Sequence, residues 1–353
     1  MNERLKNWIE SNSILGEEQN GFRVGRRAED NIFILSEIIE RKKRDGDKVY
    51  MGFLDIEKAY DTVNRDLLCK VLERIGMSRK IVNIIGSMYT ETKVKYRIGE
   101  IETDWVRSRR GVRQGCVLSP TLFSLYTEEL ASRIRGMDIG IRIGNDRVCI
   151  IMYADDIVIV CESAEELQEA LDVINEYGMD FDLKFSSEKC KIMVVNKTDR
   201  DCNVVWKLGD VVLEHTEEYK YLGVWLTAKG CEKAINEKIS VTNQWVGRLG
   251  SVSRLRACKY EVLREVWKSV AVPSVMYGMD VIPWNENEIN RLEVGQNMVA
   301  RFALNAPRYV AVEALRGDMG WSSFLERYRK ATLRYKLRIE RLDNSRIVRK
   351  VYM

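Results

Sequence analysis

The segment that most restricts the fold is Val148-Cys149-Ile150-Ile151-Met152-Tyr153-Ala154-Asp155-Asp156-Ile157-Val158-Ile159-Val160-Cys161. Two runs rich in β-branched residues flank Ala154-Asp155-Asp156, which predicts a hairpin of buried strands joined by a three-residue turn. Adjacent carboxylates at the tip of an apolar hairpin repel each other and lose hydration when partly enclosed, so they need cations. Asp is also an ordinary turn residue, and the pair alone does not separate the two roles.

A second apolar run, Val49–Leu54, reads as a buried strand that delivers Asp55 at its end, ahead of Ile56-Glu57-Lys58-Ala59-Tyr60-Asp61. Carboxylates from two strands of one sheet can bracket two Mg²⁺ ions roughly 3.5–4 Å apart, a site for in-line displacement at phosphorus. A third segment, Arg109 to Pro120, contains Gly111 and Gly115 and precedes a helix whose first amides are free. Arg107, Arg109, Arg110 and Arg113 place four guanidinia within seven residues with no acid among them. That suits phosphates, as it also suits a solvated basic loop.

The chain has one histidine, His215. A Ser-His-Asp or Cys-His hydrolase would depend on that residue alone, and His-rich metal sites are excluded. Leu213–Glu217 reads as a polar turn, which makes His215 structural or exposed. Catalysis here must run on carboxylates. The eight cysteines stand no closer than twelve residues apart, so no Cys-x-x-Cys zinc unit is present. The first thirty residues do not resemble a signal peptide and the apolar runs are too short to span a bilayer, so an intracellular protein with reduced thiols is expected, nuclear or cytoplasmic.

Hydrophobic periodicity gives helices around Leu5–Ile9, Ile32–Ile39, Leu67–Ile75, Ile81–Met88, Thr121–Arg135 and Ala164–Tyr177, and a further strand at Lys191–Val195. Lys93–Ile98 and Glu102–Arg107 form a hairpin around Gly99-Glu100. Helices mixed with strands, out of strict alternation, predict an α+β fold with an antiparallel sheet. From Lys233 onward Trp, Leu, Val and Lys/Arg recur at helical spacing, a second and all-helical unit. There Trp245, Trp267 and Trp284 fall in core-like positions. Trp321–Met353 holds ten Lys/Arg against three Asp/Glu, so this end carries +7 of a chain whose net charge is +4. A basic tail on a near-neutral body suggests a polyanion partner.

Together the three motifs resemble a reverse transcriptase of the non-LTR retrotransposon type. Tyr153-Ala154-Asp155-Asp156 is similar to its Tyr-x-Asp-Asp box, Asp55–Tyr60 to its first-aspartate motif, and Arg113–Pro120 to its Gln-Gly-x-x-x-Ser-Pro motif. Gly21-Phe22-Arg23 with Gly25-Arg26 resembles the fingers motif that precedes them. The resemblance implies a right-hand polymerase: partial fingers at 1–50, a palm with an antiparallel sheet at 51–228, a helical thumb at 229–305 and a basic helical extension at 306–353. It implies two Mg²⁺ ions, with Mn²⁺ as a substitute, held by Asp55, Asp155, Asp156 and the Ile56 carbonyl. Tyr60 matches the gate against a ribose 2′-hydroxyl. Ala59, Arg113, Gln114 and Gly115 match residues around the incoming nucleotide, with Arg23 and Arg26 expected on its triphosphate. Lys189 matches a proton donor to pyrophosphate, although Ser186 and Cys190 depart from the family's Asn and Thr. Tyr221-Leu222-Gly223 sits where the family has its primer-grip hairpin, and Arg248, Arg254, Arg256, Lys259 and Arg264 could track a duplex backbone.

The implied partners are an RNA template, a DNA primer and dNTPs, with no membrane. The resemblance begins partway into the family pattern, so a truncated fingers region is expected and no endonuclease, RNase H or Cys/His knuckle is recognisable. Two readings are open: an RNA-directed DNA polymerase, or a non-catalytic remnant that binds RNA or hybrid. RNA synthesis on RNA would use the same chemistry, but Tyr60 counts against it.

Overall fold

A computed structural model describes residues 1–144, 146–252 and 258–353, and Arg254 and Arg256 lie outside the described residues. The chain divides into two compact units, one of Met1–Asn31 with Arg41–Tyr219 and one of Ile32–Glu40 with Lys220–Met353.

The first unit opens with α1 (Asn2–Ser11) and the N-terminal turn of α2 (Ala28–Asp45), which stops at Gly46 in a left-handed conformation, φ +78°. Strand β1 (Val49–Asp55) is followed by one helical turn, α3 (Ala59–Thr62), then α4 (Arg65–Arg74) and α5 (Arg79–Ser87). The Lys93–Arg107 hairpin is two short ladders rather than one. Strand β2 (Lys93–Val94) pairs with β5 (Val106–Arg107), and β3 (Arg97–Ile98) with β4 (Ile101–Glu102). Helix α6 (Ser119–Arg135) has Pro120 in its first turn. Strands β6 (Ile141–Ile143), β7 (Asp146–Val148), β8 (Ile150–Tyr153) and β9 (Asp156–Cys161) lead to α7 (Ala164–Phe181), one turn longer than the periodicity predicts. Then come β10 (Lys191–Val195), α8 (Asp199–Cys202), β11 (Trp206–Leu208) and β12 (Val211–His215).

Six of these strands form one sheet in the order β11-β12-β10-β1-β9-β8, antiparallel except for the β10–β12 pair. Helices α6 and α7 supply the apolar layer against it: Leu122, Phe123, Leu125, Tyr126 and Leu130 from one, Leu167, Leu171, Ile174 and Tyr177 from the other, all buried. The α+β class expected from the pattern is the class observed.

Two local expectations are corrected. Tyr153 pairs with Asp156, so the β8–β9 turn has two residues, Ala154-Asp155, and Asp156 belongs to the strand. Such turns need positive φ, and Ala154 takes +58°. His215 does not lie in a polar turn. It ends β12 opposite Ile192, and its Nε2 accepts from the Trp206 indole N–H at 3.0 Å, which makes it structural.

Hairpin β13 (Glu218–Tyr221) and β14 (Val224–Thr227) turns through Leu222-Gly223, both at positive φ. The second unit is otherwise helical: α9 (Glu232–Val252), α10 (Lys259–Val266) running through a π turn at Trp267–Ala271 into α11 (Val272–Met276), a 3₁₀ turn at Met279–Val281, then α12 (Glu286–Leu304), α13 (Val312–Met319), α14 (Phe324–Glu340) and α15 (Ile347–Tyr352). Trp267 and Trp284 are core residues as their spacing predicts; Trp245 is half-buried and donates to the Ser274 hydroxyl at 3.0 Å. The buried Glu293 accepts from the Phe324 and Leu325 amides and from Arg316, so one carboxylate from α12 caps α14. Among the described residues no helix is long and apolar enough to cross a membrane.

Candidate active site

Strands β1 and β9 are antiparallel neighbours in register, and that register sets Asp55 directly opposite Asp156. Directly opposed residues project to the same face with Cβ atoms about 4.5–5.5 Å apart. Asp155 occupies the adjoining turn. Thus the two motifs, a hundred residues apart in sequence, meet at one end of the sheet.

Burial dominates the electrostatics there. It lifts the Asp156 carboxyl to about 6, with the charges of Asp155 and Asp55 adding to the rise. Asp155 is also raised, by burial first and then by Asp55, and a backbone hydrogen bond and Lys189 oppose the rise. Lys189 Nζ lies 3.0 and 3.2 Å from the two Asp55 oxygens, and this contact raises the lysine. Its side chain is 66% exposed, so the ammonium is held from the solvent side.

Around this cluster the chain is tightly tied. Ile56 forms an isolated antiparallel bridge with Phe185; the flanking bonds run from Ser186 N to the Asp55 carbonyl (2.9 Å) and from Glu57 N to the Lys184 carbonyl (2.8 Å). In antiparallel geometry successive carbonyls point to opposite edges, so the Ile56 carbonyl is directed to the β9 side, toward the aspartate turn. Behind Asp55, its amide donates to the buried Cys190 thiol at 3.4 Å, and Tyr219 stacks on Phe53 at 4.2 Å. Burial, then the charges of Asp156 and Asp55, push the Tyr219 phenol up to about 12. Neither role is signalled by the sequence, because both residues act through backing and packing.

Tyr60, on α3, stacks on Phe123 at 5.1 Å, next to the buried Ala59. Its phenol is pushed up to about 12 by burial and by Asp155, and its buried hydroxyl has no hydrogen-bond partner among the described residues. The Arg/Gly loop packs on the same segment. Val112 N donates to the Tyr60 carbonyl (2.8 Å) and Gly111 N to Val63 (2.9 Å). Gly111 has φ +83°, and a Cβ there would lie 2.8 Å from the Tyr60 oxygen, so only glycine permits this approach. Gln114 Nε2 donates to Asp61 at 3.2 Å; Gly115 sits at φ +81°; Arg113 donates to the Met88 carbonyl at 2.7 Å.

Arg65 holds this loop, and it belongs to none of the three motifs. All five of its N–H groups are used: Nε on Gly111, Nη1 on Tyr89 and Ser108, and Nη2 on Arg110 and the Ser108 hydroxyl, at 2.7–3.2 Å. A cation in the first turn of α4 opposes the helix dipole, which is the sequence signal that a specific partner exists.

Arg23 and Arg26 sit differently from the expectation. Arg23 grips Glu10 through two hydrogen bonds (2.8 and 2.9 Å) and Arg26 pairs with Glu17 at 2.6 Å, with side chains only 6% and 4% exposed. These guanidinia brace their own loop and are not offered to a triphosphate. In the second unit, Arg248 lies over the Trp245 ring at 5.1 Å and Lys259 donates to Asn305 at 2.6 Å.

With the aspartates, Tyr60 and the Gln114 loop gathered in one unit, the comparisons with known proteins are decisive. Residues 1–226 match the family described as reverse transcriptase (RNA-dependent DNA polymerase). The chain belongs to this family. Relatives of this reverse transcriptase include a type-1 retrotransposable element R2 polyprotein of Nasonia vitripennis, 26% identical across 64% of this chain and 23% of that protein. A mobile element jockey polymerase of Drosophila funebris is 26% identical across 84% and 33%. The probable polymerase of Drosophila melanogaster transposon BS is 25% identical across 96% and 38%. The type is therefore that of non-LTR retrotransposons, and the chain spans from 23% to 38% of these relatives' lengths. Among solved structures, telomerase of Candida tropicalis in complex with a telomeric RNA fragment has 12% identity and a TM-score of 0.48, covering 99% of this chain and 55% of that one.

Proposed function

We propose that this reverse transcriptase domain transfers a deoxynucleotide to a primer 3′-hydroxyl under the direction of an RNA template. The observation that carries the reading is the register that sets Asp55 against Asp156 with Asp155 in the adjoining turn. The donor set is all oxygen, which fits hard divalent cations. The Asp155 and Asp156 carboxyls are raised, by burial first and then by neighbouring carboxylates, so a bound cation would favour their ionised forms. Asp55, Asp155, Asp156 and the Ile56 carbonyl would hold two Mg²⁺ ions, which supply activation of the attacking oxygen and charge neutralisation at the phosphates.

The remaining residues have physical roles of their own. The stacked ring of Tyr60 closes the space beside the sugar, and bulk alone excludes a 2′-oxygen. Gln114, steadied by Asp61, borders the same place. In the reaction the 3′-oxygen attacks the α-phosphorus, the bond to pyrophosphate breaks and the 3′-hydroxyl proton is lost. Lys189 Nζ, an exposed ammonium at the site, is suited to protonate the departing pyrophosphate. The second unit's Leu222-Gly223 turn is assigned to the primer, with Tyr221, Arg248 and Lys259 assigned to the duplex backbone.

A second reading has one observation in its favour. Among the described residues no three acidic, thiol or imidazole side chains stand ready to ligate one ion, and Lys189 occupies Asp55. A non-catalytic binding module would show salt-sensitive RNA binding that ignores both Mg²⁺ and the loss of Asp155. Primer extension on RNA that disappears in Asp155→Ala with Asp156→Ala supports the polymerase; equal extension by the mutant removes the assignment.

A further inference from the structure

The Gln19–Arg27 loop keeps its two inner arginines to itself, so its role must lie elsewhere. It runs as a single bridge along β8, the edge strand of the main sheet: Gln19 aligns with Met152, Asn20 N donates to the Met152 carbonyl and Met152 N to Glu18, both at 2.9 Å. Asn31 Nδ2 also reaches the Met152 carbonyl, at 3.1 Å. From this edge the Gln19 side chain, 1% exposed, extends to the aspartate turn. Its Oε1 accepts from Ala154 N at 3.0 Å and from Gly21 N at 2.9 Å, and Nε2 makes a long contact of 3.5 Å with the Ala154 carbonyl. Two backbone N–H groups converge on one atom, so that atom is the oxygen and the amide orientation is fixed by its partners.

Ala154 is the residue that needs a hold. It takes φ +58°, a conformation unfavourable for a non-glycine residue that persists only where its surroundings impose it. The Tyr153–Asp156 pair closes the turn from within the hairpin, and Gln19 engages both ends of the Ala154 polar backbone from outside it. Gly21 makes the fit possible: a Cβ there would lie 2.4 Å from Ala154 N and 3.0 Å from Gln19 Oε1.

We propose that Gln19 is a positioning residue that holds the Ala154-Asp155 turn in its left-handed start and so aims Asp155 and Asp156 at the metal site. The arginine pairs are the frame: Arg23 ties the loop to Glu10, and Arg26, through Glu17 and the Asn20 Oδ1 at 3.1 Å, holds the stretch from which Gln19 projects. The proposal rests on the reading of these aspartates as metal ligands, and its test separates the two.

Deuterium uptake is compared in a peptide spanning 150–157 and in one spanning α7, in the wild type, Gln19→Leu and Gln19→Glu. Gln19→Leu is expected to speed exchange at the turn by about tenfold, the factor set by one ordinary hydrogen bond, and to leave α7 unchanged. Gln19→Glu keeps the acceptor for the Ala154 and Gly21 amides but loses the donor, and is expected to retain more protection than Gln19→Leu. Gly21→Ala presses on the same turn by a different route and is expected to reproduce the loss, which keeps the test open should Gln19→Leu fold poorly. Mn²⁺ titration followed by electron paramagnetic resonance is expected to show several-fold weaker binding in Gln19→Leu, and kcat is expected to fall while the primer–template KM holds. A turn equally protected in Gln19→Leu overturns the positioning role, even in a chain that polymerises. A turn that loses protection in a chain that neither binds Mn²⁺ nor extends a primer upholds the role and overturns the metal-site reading.

Discussion

Asp156 illustrates the conflict between stability and function at single residues. Its folded carboxyl sits at about 6 against an ordinary 3.8, so the neutral form favours folding. That contribution is complete below about pH 4 and is lost as pH rises through 6. Without divalent ions at pH 7, Asp156→Asn is expected to stabilise the chain by about 1–3 kcal/mol in denaturant melts while abolishing extension. Mg²⁺ should raise the wild-type melting temperature above pH 6 and have little effect at pH 4, since it binds the ionised form. A destabilised Asp156→Asn would contradict this account. At Tyr60, replacement by Ala is expected to raise ribonucleotide incorporation at least tenfold, read from competing dNTP and rNTP substrates; unchanged sugar selection removes the gate. The acidic pair was legible in the sequence because two β-branched runs can only bring it to a turn. The length of that turn was not, because alternation does not say whether Asp156 closes the turn or opens the strand. The pairing of Arg23 and Arg26 was equally hidden, since their partners Glu10 and Glu17 are set by tertiary packing of a loop.

Among the elements, the Arg65 fork joins α4 to the loop that carries Arg113 and Gln114. Lysine supplies charge without the five-donor geometry, so Arg65→Lys is expected to behave nearly as badly as Arg65→Ala. Both should raise the dNTP KM by about tenfold or more through loss of orientation, with primer–template affinity held. Equal loss of both affinities would point to general unfolding instead. Helices and the strands β1, β9 and β10 were visible from apolar periodicity. The short ladders of the Lys93–Arg107 hairpin were not resolved, because two-residue strands carry no period to read. His215 was misplaced because β12 pairs with β10 in parallel, a long-range match that its polar neighbours conceal.

On the scale of the whole molecule, the family match ends at residue 226, close to where the long segment of the second unit, Lys220–Met353, begins. The basic end predicted from composition falls on α14 and α15, and Arg329, Lys330, Arg334, Lys336 and Arg341, within α14 and at its C-terminus, are exposed. If these groups meet nucleic acid phosphates, changing all five to Gln should flatten the salt dependence of RNA binding, by about 0.7–0.9 in log–log slope for each phosphate no longer neutralised. An unchanged slope would place the phosphate contacts elsewhere. The central claim, that carboxylates from β1 and the β8–β9 turn form a polymerase site, is tested most directly by extending a labelled DNA primer on an RNA template with dNTPs and Mg²⁺. The account predicts extension by the wild type and none by the Asp155→Ala/Asp156→Ala double mutant at equal RNA binding. Equal extension by the two, or a folded, RNA-binding wild type that extends nothing, would contradict it.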